Sequence, residues 1–438
     1  MKYLTCRRFV SYHSVLKSAS SKTEGQPRTE SCSAVKRSEV LELRGKSFIE
    51  DDWTNVTPRI LKYLGRNIYL QKHHPLSILR HKIVGYFYSN YQGHRGTPIF
   101  SVHENLDPVV STKQNFDSLL IGSDHPSRQK SDCYYLNKEN LLRAHMTAHQ
   151  ADLIKSGLDC FLMVGDVYRR DEVDASHFPI FHQIDAVKLF SQSELCGEDG
   201  MDKGLKLFDA GKRTHDCQES HCEAAAKLVE MDLKSCLMGL SLQLFGLGIA
   251  HRWTETYFPF THPSWELEIE FNGEWLEVLG CGIIEQSILK EAGAGDRIGW
   301  AFGLGLERLA MPLFNIPDIR LFWSTDSGFL SQFKEGSISK YKPVSVFPQC
   351  ANDISFWLPE GEAFNPNDFY DLVRTEGGDI VEQVSLKDDY TNPKSGKRSH
   401  CYRIVYRHME RTLTQDEVNE IHSKIADSAR ETLGVVIR

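Results

Sequence analysis

A chain of 438 residues is too long for one ordinary hydrophobic core, and domain-size considerations divide it into two or three units. With 41% hydrophobic and 25% charged residues it has an average globular composition, and no apolar run approaches the ~20 residues that cross a bilayer. A net charge of -8 supplies no global field for nucleic acid, so any RNA contact has to come from a local patch; the 11 cysteines lack zinc-knuckle or redox spacing and read as small apolar fillers in a reducing compartment.

Residues 1–23 contain no acidic side chain, and Lys2, Arg7, Arg8, Lys17 and Lys22 are interleaved with serines and isolated apolar residues. That is the composition of a mitochondrial presequence, with a disordered basic tail as the alternative. Residues 1–37 are assigned to it, and ordered structure is expected to begin near Val40. Helices come next, because Ile60, Leu64 and Ile68, then Ile78, Ile83, Tyr86 and Phe87, recur at helical spacing around the break at His74-Pro75. The pattern then changes to strands at 161–169 and 184–189. A long helix is predicted from Ser220, with Glu223 completing a capping box, an apolar stripe through Leu233, Leu237 and Leu240, and a stop at Gly246. Residues 265–271 and 274–279 form a hairpin around Asn272-Gly273. Hairpin strands with helices inserted between them indicate an α+β domain built on a mostly antiparallel sheet, here residues 40–325.

From 326 to 343 periodicity is lost, which predicts a flexible linker. The remainder, 344–438, reads as a strand at 353–357, a helix at 366–375, strands at 380–386 and 399–406, a helix at Gln415–Leu433 capped by Thr414 and Glu417, and a short last strand. That β-α-β-β-α-β order is ferredoxin-like. Between positions 394 and 411, Lys394, Lys397, Arg398, Arg403, Arg407 and Arg411 face a single acid, Glu410, with Tyr402, Tyr406 and His408 interleaved. This stripe is the candidate RNA-binding patch, and a solvated surface is the alternative.

Two segments place an arginine in constrained backbone: Gly165-Asp166-Val167-Tyr168-Arg169-Arg170-Asp171 and Gly303-Leu304-Gly305-Leu306-Glu307-Arg308. Singly, such arginines are ordinary surface charges. Together and in this order they resemble motifs 2 and 3 of the class II aminoacyl-tRNA synthetases. The runs His145-Met146-Thr147-Ala148-His149-Gln150, Phe181-His182-Gln183, Tyr257-Phe258-Pro259-Phe260-Thr261-His262-Pro263 and Trp300-Ala301-Phe302-Gly303 are similar to the phenylalanine-specific, single-chain mitochondrial branch of that family, and the chain from Asp353 onward resembles its ferredoxin-fold anticodon-binding domain.

The resemblance implies a class II catalytic domain with an antiparallel sheet flanked by helices, followed by a ferredoxin-like domain. It implies activation of L-phenylalanine with ATP and Mg2+, then transfer to tRNA(Phe), by a monomer in the mitochondrial matrix, with no membrane partner and no metal site built by the protein. Such chemistry needs cations aimed at phosphates and a cradle for the amino acid, not a protein nucleophile. Arg169 would hold the α-phosphate and the carboxylate, and Arg308 the γ-phosphate, because the guanidinium fork binds two phosphate oxygens and stays charged. Ser176, His177 and Phe178 would meet the nucleotide. Gln183 and Asp185, two apart and so on one face of a strand, would receive the ammonium group, with Ile184 between them and Thr147, Ala148, His149 and Gln150 assisting. Phe258 and Phe260 would flank the substrate ring edge to face, with Phe302 in the same pocket.

If the hairpin turn has two residues, Glu277 lies opposite Glu268. Facing carboxylates need a cation or donor, which points Glu277 to Mg2+ or the ribose, with a solvated glutamate face as the alternative. Asp171 stands where motif 2 normally has glutamate, and Thr147 and Asp185 stand where serine and glutamate are commoner. Two readings compete: a class II ligase for another amino acid, disfavoured by two rings at Phe258 and Phe260, and a catalytically inactive RNA-binding paralogue, disfavoured by retention of both Arg169 and Arg308.

Overall fold

The computed structural model describes residues 40–170, 177–196, 205–271, 273–325, 327–343, 347–359, 364, 366–393, 395–408 and 411–438; the expected presequence, Asp171, Ser176 and Lys394 lie outside them. After a small hairpin, β1 (Val40–Leu43) with β2 (Lys46–Ile49), comes α1 (Pro75–Asn90). Proline suits its first turn, where an N–H would go unbonded, and His74 supplies the cap by accepting from the Leu76 N–H at 3.2 Å.

The main sheet is built from β3 (Ser101–His103), β4 (Cys160–Tyr168), β5 (Ile180–Phe190), β6 (His251–Phe258), β7 (Thr261–Phe271), β8 (Glu274–Ile284) and β9 (Ile298–Gly305), in the order β3-β4-β5-β9-β8-β7-β6. Every neighbouring pair is antiparallel except β3 with β4. Two helices, α2 (Glu223–Phe245) and α3 (Leu306–Phe314), join α1 over one face of this sheet. Leu162, Val164, Ile184, Ala186, Trp300, Phe302 and Leu304 point into that layer, against Phe87, Leu233, Leu237 and Leu309. Period two sends the alternate residues to the other face. There Met163, Val187, Leu189 and Ala301 are covered by Met146, Ile154, Ile288 and Leu289, while Gln183, Asp185, Gly280 and Gly303 occupy the continuation of the same rows.

The hairpin forms as expected, with Gly273 at φ +85° and Glu277 opposite Glu268. The start of α2 does not. Cys222 is its N-cap, without a side-chain bond, and Ser220 makes no capping box. The chain there is held in a pairing with the preceding loop, the Ser220 carbonyl accepting from Asp209 and Cys222 donating to Leu207, so the serine lies before the N-cap position and in the wrong backbone to cap.

The second sheet contains β10 (Cys350–Trp357), β11 (Val381–Thr391), β12 (Arg398–Tyr406) and β13 (Val436–Ile437), in the antiparallel order β11-β12-β10-β13. The helices α4 (Pro366–Gly377) and α5 (Gln415–Leu433) complete the ferredoxin-like order around Phe356, Phe369, Val373, Tyr402, Ile404, Val418 and Ile425. The Thr414 and Glu417 capping box is formed in both directions. The expected linker is not loose. Phe329, Phe333 and Tyr341 are buried in the core under α3, with Phe333 edge-on to Phe314 at 5.6 Å between ring centres, and Lys342 donates from its backbone to Gln332. Aromatic anchors spaced without a period escape a reading based on periodicity.

Candidate active site

A row of paired residues crosses the sheet on the face away from α1, α2 and α3: Met163 beside Asp185, Asp185 beside Gly303, Gly303 beside Gly280, Gly280 beside Glu266. Glycine inside a strand marks close approach of another group. A Cβ at 303 would stand 2.8 Å from Asp185 Oδ1, and one at 280 would stand 2.8 Å from the Phe258 ring. The two glycines therefore form a floor with no side chains, a carboxyl at one end and aromatic rings above the other. The sequence contained this signal as glycines interrupting strands, but without the register nothing tied them to Asp185 or Phe258.

Asp185 is almost fully buried, and its Oδ2 accepts from the Thr147 hydroxyl at 2.7 Å. Its Oδ1 has no hydrogen-bond partner among the described residues. Burial pushes its pKa up to about 7, against the opposing effects of the Thr147 bond and the positive charge of Arg169. A carboxyl in this state is stabilised by a cationic donor arriving over Gly303. Gln183 fixes the facing turn, accepting from the Met146 N–H at 3.3 Å, and Gln150 Oε1 is a second buried acceptor without a partner among the described residues.

His149 accepts through Nε2 from Arg143 Nη1 at 3.2 Å; burial and the adjacent guanidinium push its pKa down to about 4, so the ring is neutral near pH 7. Arg143, which sequence reasoning missed, is itself buried. It donates to Asp166 Oδ1 at 2.5 Å and to the Leu106 carbonyl at 3.0 Å, while the Tyr168 hydroxyl donates to the other Asp166 oxygen. A Cβ at Gly165 would collide with this guanidinium, which accounts for the glycine of that motif.

Arg169 follows the end of β4. Its Nε donates to the Ala144 carbonyl at 2.8 Å, and its guanidinium lies 5.1 Å from the centre of the Phe181 ring. His177 lies in the segment that leads into β5, and Phe178 is packed between Tyr63 and Trp323. Arg308, third residue of α3, binds Glu277 with Nη1 to Oε2 at 2.9 Å. Glu268 pairs with Arg252. The cations demanded by the facing glutamates are thus the two arginines. Glu266, half-buried on the same face, is pushed above the usual carboxylate range by burial and by Glu277.

Two expectations for the pocket are corrected. Ile184 and Phe302 project from the opposite face into the large core, because they alternate with Gln183, Asp185 and Gly303 along their strands. Ala148 is buried among Phe116, Leu119 and Tyr135. Phe258 and Phe260 lie parallel, 5.7 Å apart at 10°, as one stacked wall beside Gly280.

The basic stripe is also altered by the fold. Arg398 pairs with Asp389, Arg403 with Asp353, Arg407 with Glu382 and Arg411 with Glu417, acids brought in from β10, β11 and α5. Tyr402 and Tyr406 are fully buried and present no face for stacking; Lys397 is exposed.

Comparison with known proteins agrees with this architecture. Residues 61–199 and 213–333 match the family described as tRNA synthetases class II core domain (F), and residues 345–438 match the ferredoxin-fold anticodon binding domain. The chain is 55% identical over 421 residues to a probable mitochondrial phenylalanine–tRNA ligase of Drosophila melanogaster, covering 91% of this chain and 92% of the relative. It is 55% identical to the mitochondrial phenylalanine–tRNA ligase of Mus musculus, with 90% and 88% covered, and 47% identical to the chloroplastic/mitochondrial enzyme of Arabidopsis thaliana, with 89% and 84% covered. With the core domain matched over most of the first sheet, the anticodon-binding domain over the second, and relatives of this identity along nearly the whole length, the chain belongs to the phenylalanine–tRNA ligase family of class II aminoacyl-tRNA synthetases.

Proposed function

We propose that this chain joins L-phenylalanine to ATP as the aminoacyl-adenylate and transfers it to tRNA(Phe) in mitochondria. The observation that carries the reading is the buried, half-satisfied Asp185 carboxyl at the end of a glycine floor walled by Phe258 and Phe260. A ligand with an ammonium group at one end and a flat apolar group at the other is complementary to it.

In this reading the ammonium group donates to Asp185 Oδ1 and the substrate ring lies over Gly280 and Gly303 against the stacked rings. Thr147, already bound to Asp185, and Gln183 hold the ammonium end, while neutral His149 and Gln150 supply hydrogen bonds without adding a like charge. The substrate carboxylate attacks the α-phosphorus in line, and pyrophosphate leaves. Arg169 neutralises charge on the carboxylate and α-phosphate. Arg308 exchanges Glu277 for the γ-phosphate, a stronger polyanionic partner. His177 borders the nucleotide. Glu277 would steady a Mg2+ ion carried in on the phosphates, since Mg2+ at nucleotide sites takes one or two carboxylates and keeps its waters. The chain acts as a monomer.

ATP–pyrophosphate exchange with phenylalanine, with tyrosine and without amino acid tests the assignment. Exchange dependent on phenylalanine supports it, and exchange driven better by another amino acid, or none at all, overturns it.

A further inference from the structure

Beneath the substrate face, Glu307 and His182 form a contact that none of the roles above uses. Glu307 is the second residue of α3, immediately before Arg308, and is 2% exposed. Its Oε2 accepts from the His182 backbone N–H at 2.8 Å and its Oε1 from His182 Nδ1 at 2.6 Å. His182 is fully buried, on the core side of β5, directly before Gln183. Its ring stands between Tyr69 and Trp323, with ring centres 5.3 and 5.5 Å away, and its Nε2 has no hydrogen-bond partner among the described residues.

This arrangement is costly as a stabilising device. A buried carboxylate held by one histidine contributes less than an apolar pair of similar volume, since desolvation offsets most of the attraction. What it provides is a fixed connection. One carboxylate ties the start of the helix that carries Arg308 to the strand that carries Gln183 and Asp185, through two bonds to a single residue. Rotation about either bond alone is blocked by the other.

We infer that the Glu307 and His182 contact is a positioning clamp that sets the separation between the phosphate-binding arginine and the ammonium-binding carboxyl, and hence the approach of the two substrates. This rests on the assignment of Arg308 to ATP and Asp185 to phenylalanine. The clamp touches neither substrate. Losing it leaves each half-site intact and misaligns them, which lowers the rate of adenylate formation more than the affinity for phenylalanine.

Three variants of the full chain test this by pyrophosphate exchange and by calorimetric phenylalanine binding without ATP, with wild type and Arg308→Ala measured alongside. His182→Phe keeps the buried ring and removes the donor; the expected result is a drop in exchange kcat of about tenfold or more, with phenylalanine affinity changed by less than about twofold. His182→Asn places an amide N–H near the position of Nδ1 and is expected to recover most of the lost rate. Glu307→Asp keeps the charge but shortens the arm, so the clamp requires a rate loss here too, and this variant carries the test if His182→Phe does not fold. Wild-type exchange in the folded His182→Phe or Glu307→Asp variant overturns the inference, as does a loss of phenylalanine affinity in step with rate. If instead wild type shows no phenylalanine-dependent exchange, or Arg308→Ala is fully active, the functional assignment has failed and not the clamp alone.

Discussion

At the scale of single residues, Asp185 makes the site's chemistry pH-dependent. Its folded pKa of about 7 lies above that of an exposed carboxyl, so the ligand-free folded state binds the proton more tightly than the unfolded chain does. Stability from this group is present at low pH and is lost as pH rises through about 7, where the buried carboxyl ionises without a partner. Asp185→Asn should therefore raise the melting temperature of the ligand-free protein at pH 8 relative to wild type, while lowering phenylalanine-dependent exchange about a hundredfold, as expected from ~3 kcal/mol for a lost charged hydrogen bond. A variant equally stable at pH 8, or one that activates phenylalanine normally, contradicts the role. Wild-type affinity for phenylalanine should in turn weaken as pH falls below 7, measurable by calorimetry. For Arg169→Ala and Arg308→Ala, each removing a cation from a transferring phosphoryl group, exchange should fall by at least about two orders of magnitude. Near-normal exchange in both would remove the phosphate roles.

Elements were legible where one physical signal dominated. Strand β4 carries an unbroken apolar run at 161–164 and β5 reads with period two at 184–189, Asn272-Gly273 dictates a tight hairpin, and Thr414 with Glu417 caps α5 on local chemistry alone. Thr414→Ala should accordingly cost the C-terminal domain about 1 kcal/mol, read as a lowered urea midpoint, and an unchanged midpoint would show that the box contributes nothing. β9 was seen as a motif and not as a strand, since Gly299, Gly303 and Gly305 within eight residues read as breakers until the neighbours that press on them are known. β6, at the edge of the sheet with most side chains exposed, carries no clear alternation. Site residues divided the same way. Asp185, Gln183 and Arg308 lay in recognisable runs, but the side of the strand taken by Ile184 and Phe302, and the acids that reach the basic stripe, depend on pairing between segments distant in sequence.

At the scale of the molecule, every residue assigned to ATP or phenylalanine lies between Thr147 and Arg308, and the anchored stretch up to Lys342 closes the core under α3. A truncated chain ending at residue 343 should fold and keep pyrophosphate exchange while losing transfer to tRNA. A soluble truncate that charges tRNA as well as the whole chain, or one that has lost exchange, contradicts this division. Residues 1–37, fused to a reporter, should direct it to mitochondria, and a cytosolic reporter would refute that assignment.

The pairing of Arg398, Arg403, Arg407 and Arg411 with carboxylates has a consequence for how strongly ions govern tRNA capture. A guanidinium that already holds an aspartate carries no excess field to displace the sodium and potassium condensed on RNA, and on meeting a phosphate it must first give up its acid. Each such exchange frees few counterions, so log Kd for tRNA should rise with log salt less steeply than the ~0.7–0.9 per contact of unpaired cations. Asp353→Asn, by unmasking Arg403, should both tighten binding at low salt and steepen that dependence.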